Sequence, residues 1–351
     1  MIKVLIVDDS KVIQEFLDHI LSSDPEILVV GVASSGKEAI EIVKKEKPDL
    51  ITMDINMPGM DGYETTRKIM ETFPTPIVIV SGIENPKDAE NINKFMEAGA
   101  LTVVFRPAPF ELHQFTAFRN ELIQTAKLMS EIIVVKHFHH KGKEKTNAVE
   151  PEEPFENDLK RIQVIAIGAS TGGPVALQAI LSRLPENLSI PILIVQHIAP
   201  GFVKVFQKML SSTSGIKLKI AEEGEKISAG IGYIAPDNFH MGITRGKKII
   251  LSNLPPENGS KPSVSYLFRS VAQAFGPYAL GVLLTGMGKD GADELKDMKN
   301  KGALTVVQNE ESSVVFGMPG EALRIGASNN ALSPENIAEI LIKSGSKKNR
   351  I

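Results

Sequence analysis

The chain of 351 residues contains no cysteine, which removes disulfides, thiolate metal ligands and a cysteine nucleophile from consideration together. A reducing, cytoplasmic setting fits that absence. Nothing in the sequence approaches the ~20 consecutive apolar residues of a membrane-spanning helix. The N-terminus, MIKVLIVDDS, closes its short apolar run with carboxylates, unlike a signal peptide. The protein is expected to be soluble, unsecreted and not inserted in a membrane. A strong charge imbalance is missing as well: the formal net charge is -3, and a nucleic-acid partner would need a clustered positive surface. What is there is an ordinary globular composition, 42% apolar and 23% charged, in a length that points to two domains, each able to bury its own core.

Short runs rich in branched residues alternate with amphipathic segments from Ile2 to about Ala126. Ile2–Val7, Ile27–Ala33, Leu50–Ile55, Ile77–Val80 and Leu101–Phe105 read as strands. Lys37–Lys47, Tyr63–Thr72 and Lys87–Ala98 read as helices, ended by Pro48, by Pro74 and by Gly99. Five strands with helices between them imply a parallel sheet, so residues 1–125 are expected to form a flavodoxin-like (βα)5 α/β domain. Residues 126–160 change character, basic then acidic with little apolar periodicity, and read as a flexible linker. Its histidines His137, His139 and His140 are assigned no site. Alternation resumes at Arg161 with strands expected at Val164–Gly168, Pro191–Gln196, Gly232–Ala235, Lys248–Leu251, Leu280–Thr285 and Leu304–Val307. A second, doubly wound and mostly parallel α/β domain is expected over 161–345, closed by a helix Pro334–Lys343 that Ser333 caps and Gly345 follows, with a tail at 346–351.

Three carboxylates gather in the first domain. Asp8 and Asp9 end the first strand, and Asp54 ends the third. The carboxyl ends of parallel strands meet on one edge, where open α/β sheets bind ligands, so this trio suits a magnesium ion held by oxygen. A carboxylate there can also attack a phosphoryl group. Beyond it, MDINMPGMDG turns the chain, Ser81 follows the fourth strand, and Arg106-Pro107 follows the fifth. In order and context these residues resemble the receiver domain of two-component response regulators. The resemblance implies Asp54 as phospho-acceptor, magnesium held by Asp8, Asp9, Asp54 and the Asn56 backbone carbonyl, and Ser81 as a switch hydroxyl. Arg106 replaces the family's lysine with a larger planar cation. Val103 stands where many members carry a switch aromatic.

In the second domain, VIAIGASTGGP (Val164–Pro174) is a strand, a glycine turn and a helix start with Ser170 at its tip. Gly168-Ala-Ser170-Thr-Gly172 has the spacing of a nucleophile elbow, in which small residues let the chain turn sharply. A glycine turn after a strand also suits a dinucleotide, which demands an acid at the end of the next strand. PILIVQH ends there in Gln196-His197 instead, and no P-loop lysine follows the glycines. Two histidines fall in this domain, His197 and His240; strand-end position argues for His197 as the base. GVLLTGMGKDGA (Gly281–Ala292) repeats the strand, turn and helix pattern and puts Asp290 near a helix start, where a carboxylate also serves for capping. Serine, histidine and aspartate can then be nucleophile, base and orienter. The chain order Ser, His, Asp departs from that of the α/β-hydrolase superfamily.

The run of GASTGGP, IVQH, YIAPDNFH, KPSVSYLFRSVA, LTGMGKDGA and VVFGMPGEA resembles the catalytic domain of the chemotaxis receptor methylesterases, over nearly all of 161–345. This resemblance implies Ser170 as nucleophile, His197 as general base, Asp290 as orienter, and an oxyanion hole made by the Met287 amide with Thr171 nearby. Ser265 and Asn309 stand where the family commonly has aspartate, and neither is expected to touch the triad. The expected function is a phosphorylation-regulated hydrolase of glutamate methyl esters, and of glutamine amides, on chemoreceptors. A chemotaxis histidine kinase would be the phosphodonor, magnesium would serve the receiver, the esterase chemistry would need no cofactor, and the protein would be a cytoplasmic monomer. The rival readings are a receiver-linked esterase or amidase with another substrate, an inactive scaffold, and a DNA-binding regulator, for which the output half should be small, basic and helical.

Overall fold

The computed structural model describes residues 1–82, 94–95, 98–106, 112–132, 159–198 and 201–345. Most of the helix expected at Lys87–Ala98, together with Pro107, His137, His139, His140 and the 346–351 tail, lies outside them. The chain divides into two compact units, Met1–Lys145 and Thr146–Ile351.

In the first unit β1 (Ile2–Val7), β2 (Ile27–Ala33), β3 (Leu50–Met53), β4 (Ile77–Gly82) and β5 (Thr102–Arg106) form a parallel sheet in the order β2-β1-β3-β4-β5. This is the flavodoxin-like order. Val4 to Val7 are buried without alternation, because helices cover both faces of such a sheet. β3 stops at Met53, two residues short of the expected Ile55. There the Asp54 carboxylate accepts a hydrogen bond from the Asn56 amide (3.1 Å), which turns the chain. The helix Gly62–Thr72 starts one residue early, capped by Asp61, whose carboxylate accepts from the Glu64 amide at 2.8 Å. A correction concerns the linker: the helix Leu112–Ser130 runs five residues beyond Thr125. Leu122, Ile123, Ala126 and Met129 continue one apolar stripe, all buried, so the helix keeps its packing face past the expected boundary.

The strands of the second unit's main sheet are β6 (Val164–Ala169), β7 (Ile192–Gln196), β8 (Lys217–Ile220), β9 (Ile231–Ile234), β12 (Ala279–Leu283), β13 (Leu304–Gln308) and β14 (Ala331–Leu332). All seven run parallel, in the order β14-β13-β12-β6-β7-β9-β8. The edge strands β8 and β14 escaped the sequence pattern because they are four and two residues long. The segment expected as the strand Lys248–Leu251 does not join this sheet. As β11 (Ile249–Ser252) it pairs antiparallel with β10 (His240–Ile243), across a turn in which Lys247 takes φ 61. The helix Pro334–Gly345 includes the glycine expected to follow it; the Ser189 hydroxyl donates to the Gly345 carbonyl at 2.7 Å. Strands are laid outward from β6 through β7 on one side and from β12 through β13 on the other. The crevice for a ligand therefore opens between the carboxyl ends of β6 and β12. Among the described residues no helix is long and apolar enough to cross a membrane.

Candidate active site

The ends of β1 and β3 bring Asp8, Asp9 and Asp54 together, one carboxylate oxygen of each within 4.8 Å of the others. Asp8 is buried and accepts the Ser10 amide at 2.9 Å. Burial, then the charge of Asp8 and least that of Asp9, push the Asp54 carboxyl up to about 7 against the pull of the Ile55 and Asn56 amides. Burial also raises Asp8, while the Ser10 amide and the Arg106 charge draw it back. Arg106 ends β5 in register with Gly82, and a methyl group there would collide with its guanidinium. Arg106 thus sets its charge beside the acidic cluster. Ser81 is buried in β4, and Val103 in β5.

Crowded, partly buried carboxylates in an all-oxygen set fit magnesium. Between pH 3.8 and about 7 the folded unit keeps a proton on Asp54 that the unfolded chain has lost, so this group's contribution to stability declines as pH rises through that window. Magnesium is expected to offset the loss: above pH 7 it should raise the unfolding midpoint of the first unit, less so at pH 5 where the proton competes. An unchanged midpoint at every pH in differential scanning calorimetry would remove the metal assignment.

The second site is built on β6, β7 and β12. Past β6 the chain turns at Ser170 into the helix Gly173–Leu181, and Gly172 takes φ 79, a conformation that favours glycine. The Ser170 amide donates to the Thr285 carbonyl at 3.0 Å, and the His197 amide to the Ala169 carbonyl at 2.9 Å, so both residues are pinned to neighbouring strand ends. The buried Gln196 amide donates from one nitrogen to the Ser170 and His197 carbonyls, each at 2.8 Å. It is a strut between the two backbones.

His197 Nε2 lies 2.8 Å from Asp290 Oδ2. A carboxylate accepts only, so Nε2 carries the hydrogen, and in the neutral ring Nδ1 has the lone pair, the reverse of the ring usage in the serine-protease triad. His240 cannot act as base. It is fully buried, its Nε2 donates to the Pro255 carbonyl (3.0 Å), its Nδ1 accepts the Ser263 amide (3.2 Å), and its ring stacks on Tyr266.

Asp290 is 3% exposed. The capping role open to a carboxylate before the helix Ala292–Asn300 is taken up at another helix, Val264–Phe275. Asp290 accepts the first two amides of that helix, Val264 (2.7 Å) and Ser265 (3.2 Å), and the Ser263 hydroxyl (2.8 Å). Asn258 Nδ2 donates to it at 3.0 Å. Burial alone would raise the Asp290 carboxyl, but the hydrogen bond and charge of His197, with Asn258 and Ser265, outweigh it and hold the group well below the usual carboxylate range. Ser265 therefore does touch Asp290, contrary to expectation, and its hydroxyl also accepts the Gly291 amide (3.0 Å). Met287 is 45% exposed, in a loop held where Gly286 exchanges backbone hydrogen bonds with Val315 and Met318. The Thr285 hydroxyl lies 2.9 Å from the Thr171 carbonyl and accepts the Val315 amide.

Sequence reasoning missed Gln196, Asn258, Ser260, Ser263 and Thr285. The Asn258-Gly259 pair is a hairpin-turn signal that was there to be used.

Fold and site together define a class, a receiver unit joined to an α/β hydrolase unit with serine and histidine at the ends of neighbouring parallel strands and aspartate in the loop that follows a third. The chain belongs to the CheB methylesterase family, whose model matches residues 165–341, and the response regulator receiver domain model matches 4–116. It is 50% identical over 349 residues, 98% of each chain, to the protein-glutamate methylesterase/protein-glutamine glutaminase 1 of Syntrophus aciditrophicus. Identity to the corresponding protein of Pyrococcus horikoshii is 38%, over 97% of this chain and 93% of that one. The crystal structure of the Thermotoga maritima CheB methylesterase catalytic domain is similar with a TM-score of 0.51 and 37% identity, covering 52% of this chain and 98% of that one.

Proposed function

We propose that the chain is a phosphorylation-controlled protein-glutamate methylesterase that also deamidates glutamine, acting as a cytoplasmic monomer on methyl-accepting chemoreceptors. The observation that carries the esterase half is a buried Asp290 hydrogen-bonded at 2.8 Å to a His197 whose side chain is 16% exposed and so reachable. Ser170 Oγ attacks the ester carbonyl carbon and its proton passes to His197 Nδ1, while Asp290 stabilises the imidazolium. The oxyanion takes the Met287 amide, with Thr171 alongside. Collapse breaks the bond to methoxide, which leaves as methanol with the proton from His197. Water, losing its proton to His197, then attacks the acyl-serine; collapse breaks the bond to Ser170 Oγ, which takes that proton back from His197, and the receptor side chain leaves as a glutamate carboxylate. A glutamine substrate gives up ammonia in the first half and ends at the same carboxylate. This chemistry uses side chains and backbone alone.

In the receiver, Asp54 would take the phosphoryl group from a chemotaxis histidine kinase. Asp8, Asp9, Asp54 and the Asn56 backbone carbonyl would hold magnesium, which when bound neutralises carboxylate and phosphoryl charge. Arg106 lies close enough to influence Asp8 and would pair with the new phosphoryl oxygens; Ser81 would donate to one. The test is methanol release from a methylated chemoreceptor, with and without magnesium and a small phosphodonor. Release that rises with phosphodonor is expected, and Asp54→Ala should erase the rise while sparing basal release. No release above a Ser170→Ala blank would redirect the assignment to another ester.

A further inference from the structure

His197 Nδ1, the nitrogen the proposed mechanism uses, has a serine other than Ser170 beside it: Ser260 Oγ stands 3.4 Å away. Nε2 carries the hydrogen toward Asp290, so Nδ1 offers one in-plane lone pair and Ser260 is the donor. The placement is built. Glu257 and Ser260 exchange backbone hydrogen bonds (3.1 and 2.9 Å) across the two-residue turn Asn258-Gly259. Both turn residues are left-handed, φ 51 and 77, as a type I′ turn requires. The turn is braced on either side. Asn258 Nδ2 donates to Asp290 Oδ1 (3.0 Å) and Ser265 Oγ (3.1 Å). Glu257 pairs with Arg269 (2.8 Å), which also holds Glu294 (3.1 Å).

We infer that Ser260 is a positioning residue that keeps the base latent: its hydroxyl occupies His197 Nδ1 while the cleft is empty, and Ser170 gains the base when Ser260 lets go. The inference rests on the reading of Ser170, His197 and Asp290 as the catalytic residues. One lone pair accepts one strong hydrogen bond at a time, so the two hydroxyls compete for it. At 3.4 Å the hydrogen bond is long, so its strength lies at the low end of the ordinary range and the competition is worth about twofold to threefold in rate. Ser260 lies in a polar turn, so trimming its hydroxyl leaves the core packing untouched.

The experiment is the rate at which a small alkyl fluorophosphonate labels the full-length protein without substrate, with the labelled residue identified by peptide mapping. Labelling forms a P–O bond to serine, breaks P–F, and passes the serine proton to His197. Label is expected on Ser170, about twofold to threefold faster in Ser260→Ala, and back at the wild-type rate in Ser260→Thr, which restores the hydroxyl. Label on Ser170 at a rate unchanged or lowered in Ser260→Ala, with an unaltered melting temperature, overturns the inference alone. Label absent from Ser170 in the wild type overturns the catalytic reading and the inference with it.

Discussion

Ser170→Ala is expected to lower methanol release at least about 10⁴-fold, because the covalent path has no other nucleophile and only binding and oxyanion contacts remain. The same change should leave stability within about 0.5 kcal/mol, since it deletes one partly exposed oxygen and opens no cavity. Ser170 is tied to the fold through its backbone: its amide to Thr285, its carbonyl to Gln196 and to the Gly173 amide. Alanine keeps all three. Steady-state release and urea unfolding, measured on the same preparation, separate the two effects. A Ser170→Ala protein retaining a tenth or more of wild-type release would displace Ser170 as nucleophile.

Asp290→Ala should fail in both respects. Removing the carboxylate leaves the imidazolium uncompensated and the ring free to adopt the other tautomer, which should cost about 10³- to 10⁴-fold in kcat. It also strips the acceptor from the Val264 and Ser265 amides, the Ser263 hydroxyl and Asn258 Nδ2. These donors are largely buried, and an orphaned buried donor costs about 1–3 kcal/mol. Solvent entering the gap will satisfy some, so the expected loss is about 2–4 kcal/mol for the second unit. Asp290→Asn, similar in shape but with an amide nitrogen turned toward donors, should fall between. Equal stability of Asp290→Ala and wild type in urea would show that the capping contacts carry no net energy.

Both changes remove a member of the proposed triad, yet they differ in kind. Ser170 projects from a turn whose backbone holds it, whereas Asp290 is itself a structural support. A single stability measurement distinguishes the two roles without reference to substrate.

How much of this was legible in the sequence depends on the range of the interaction. β1 and β2 matched their expected bounds because each is a mostly apolar run closed by polar residues, whether buried as β1 largely is or at the sheet edge as β2 is. The elbow at Ser170 was legible for the same local reason: glycines beyond a strand permit only a sharp turn. The linker boundary failed because charged Lys127 and the polar residues after Ile123 hid an apolar stripe that packs only in three dimensions. β11 was expected as a further strand of the α/β domain because Ile249, Ile250 and Leu251 carry no record of their partner.

The sequence by itself determined the two α/β units, the strand ends that carry Asp8, Asp54, Ser170, His197 and Asp290, and the absence of thiol chemistry, since each follows from residue type and spacing along the chain. Only the tertiary structure decided that Asp290 serves the helix Val264–Phe275 rather than its own, that His240 is sealed away, and that Ser260 stands at His197 Nδ1. The physical reason is that hydrogen-bond donors and acceptors select partners by distance in space. Residues as far apart as Val264 and Asp290 meet only once the sheet has set β6 beside β12 and packed the helices upon it.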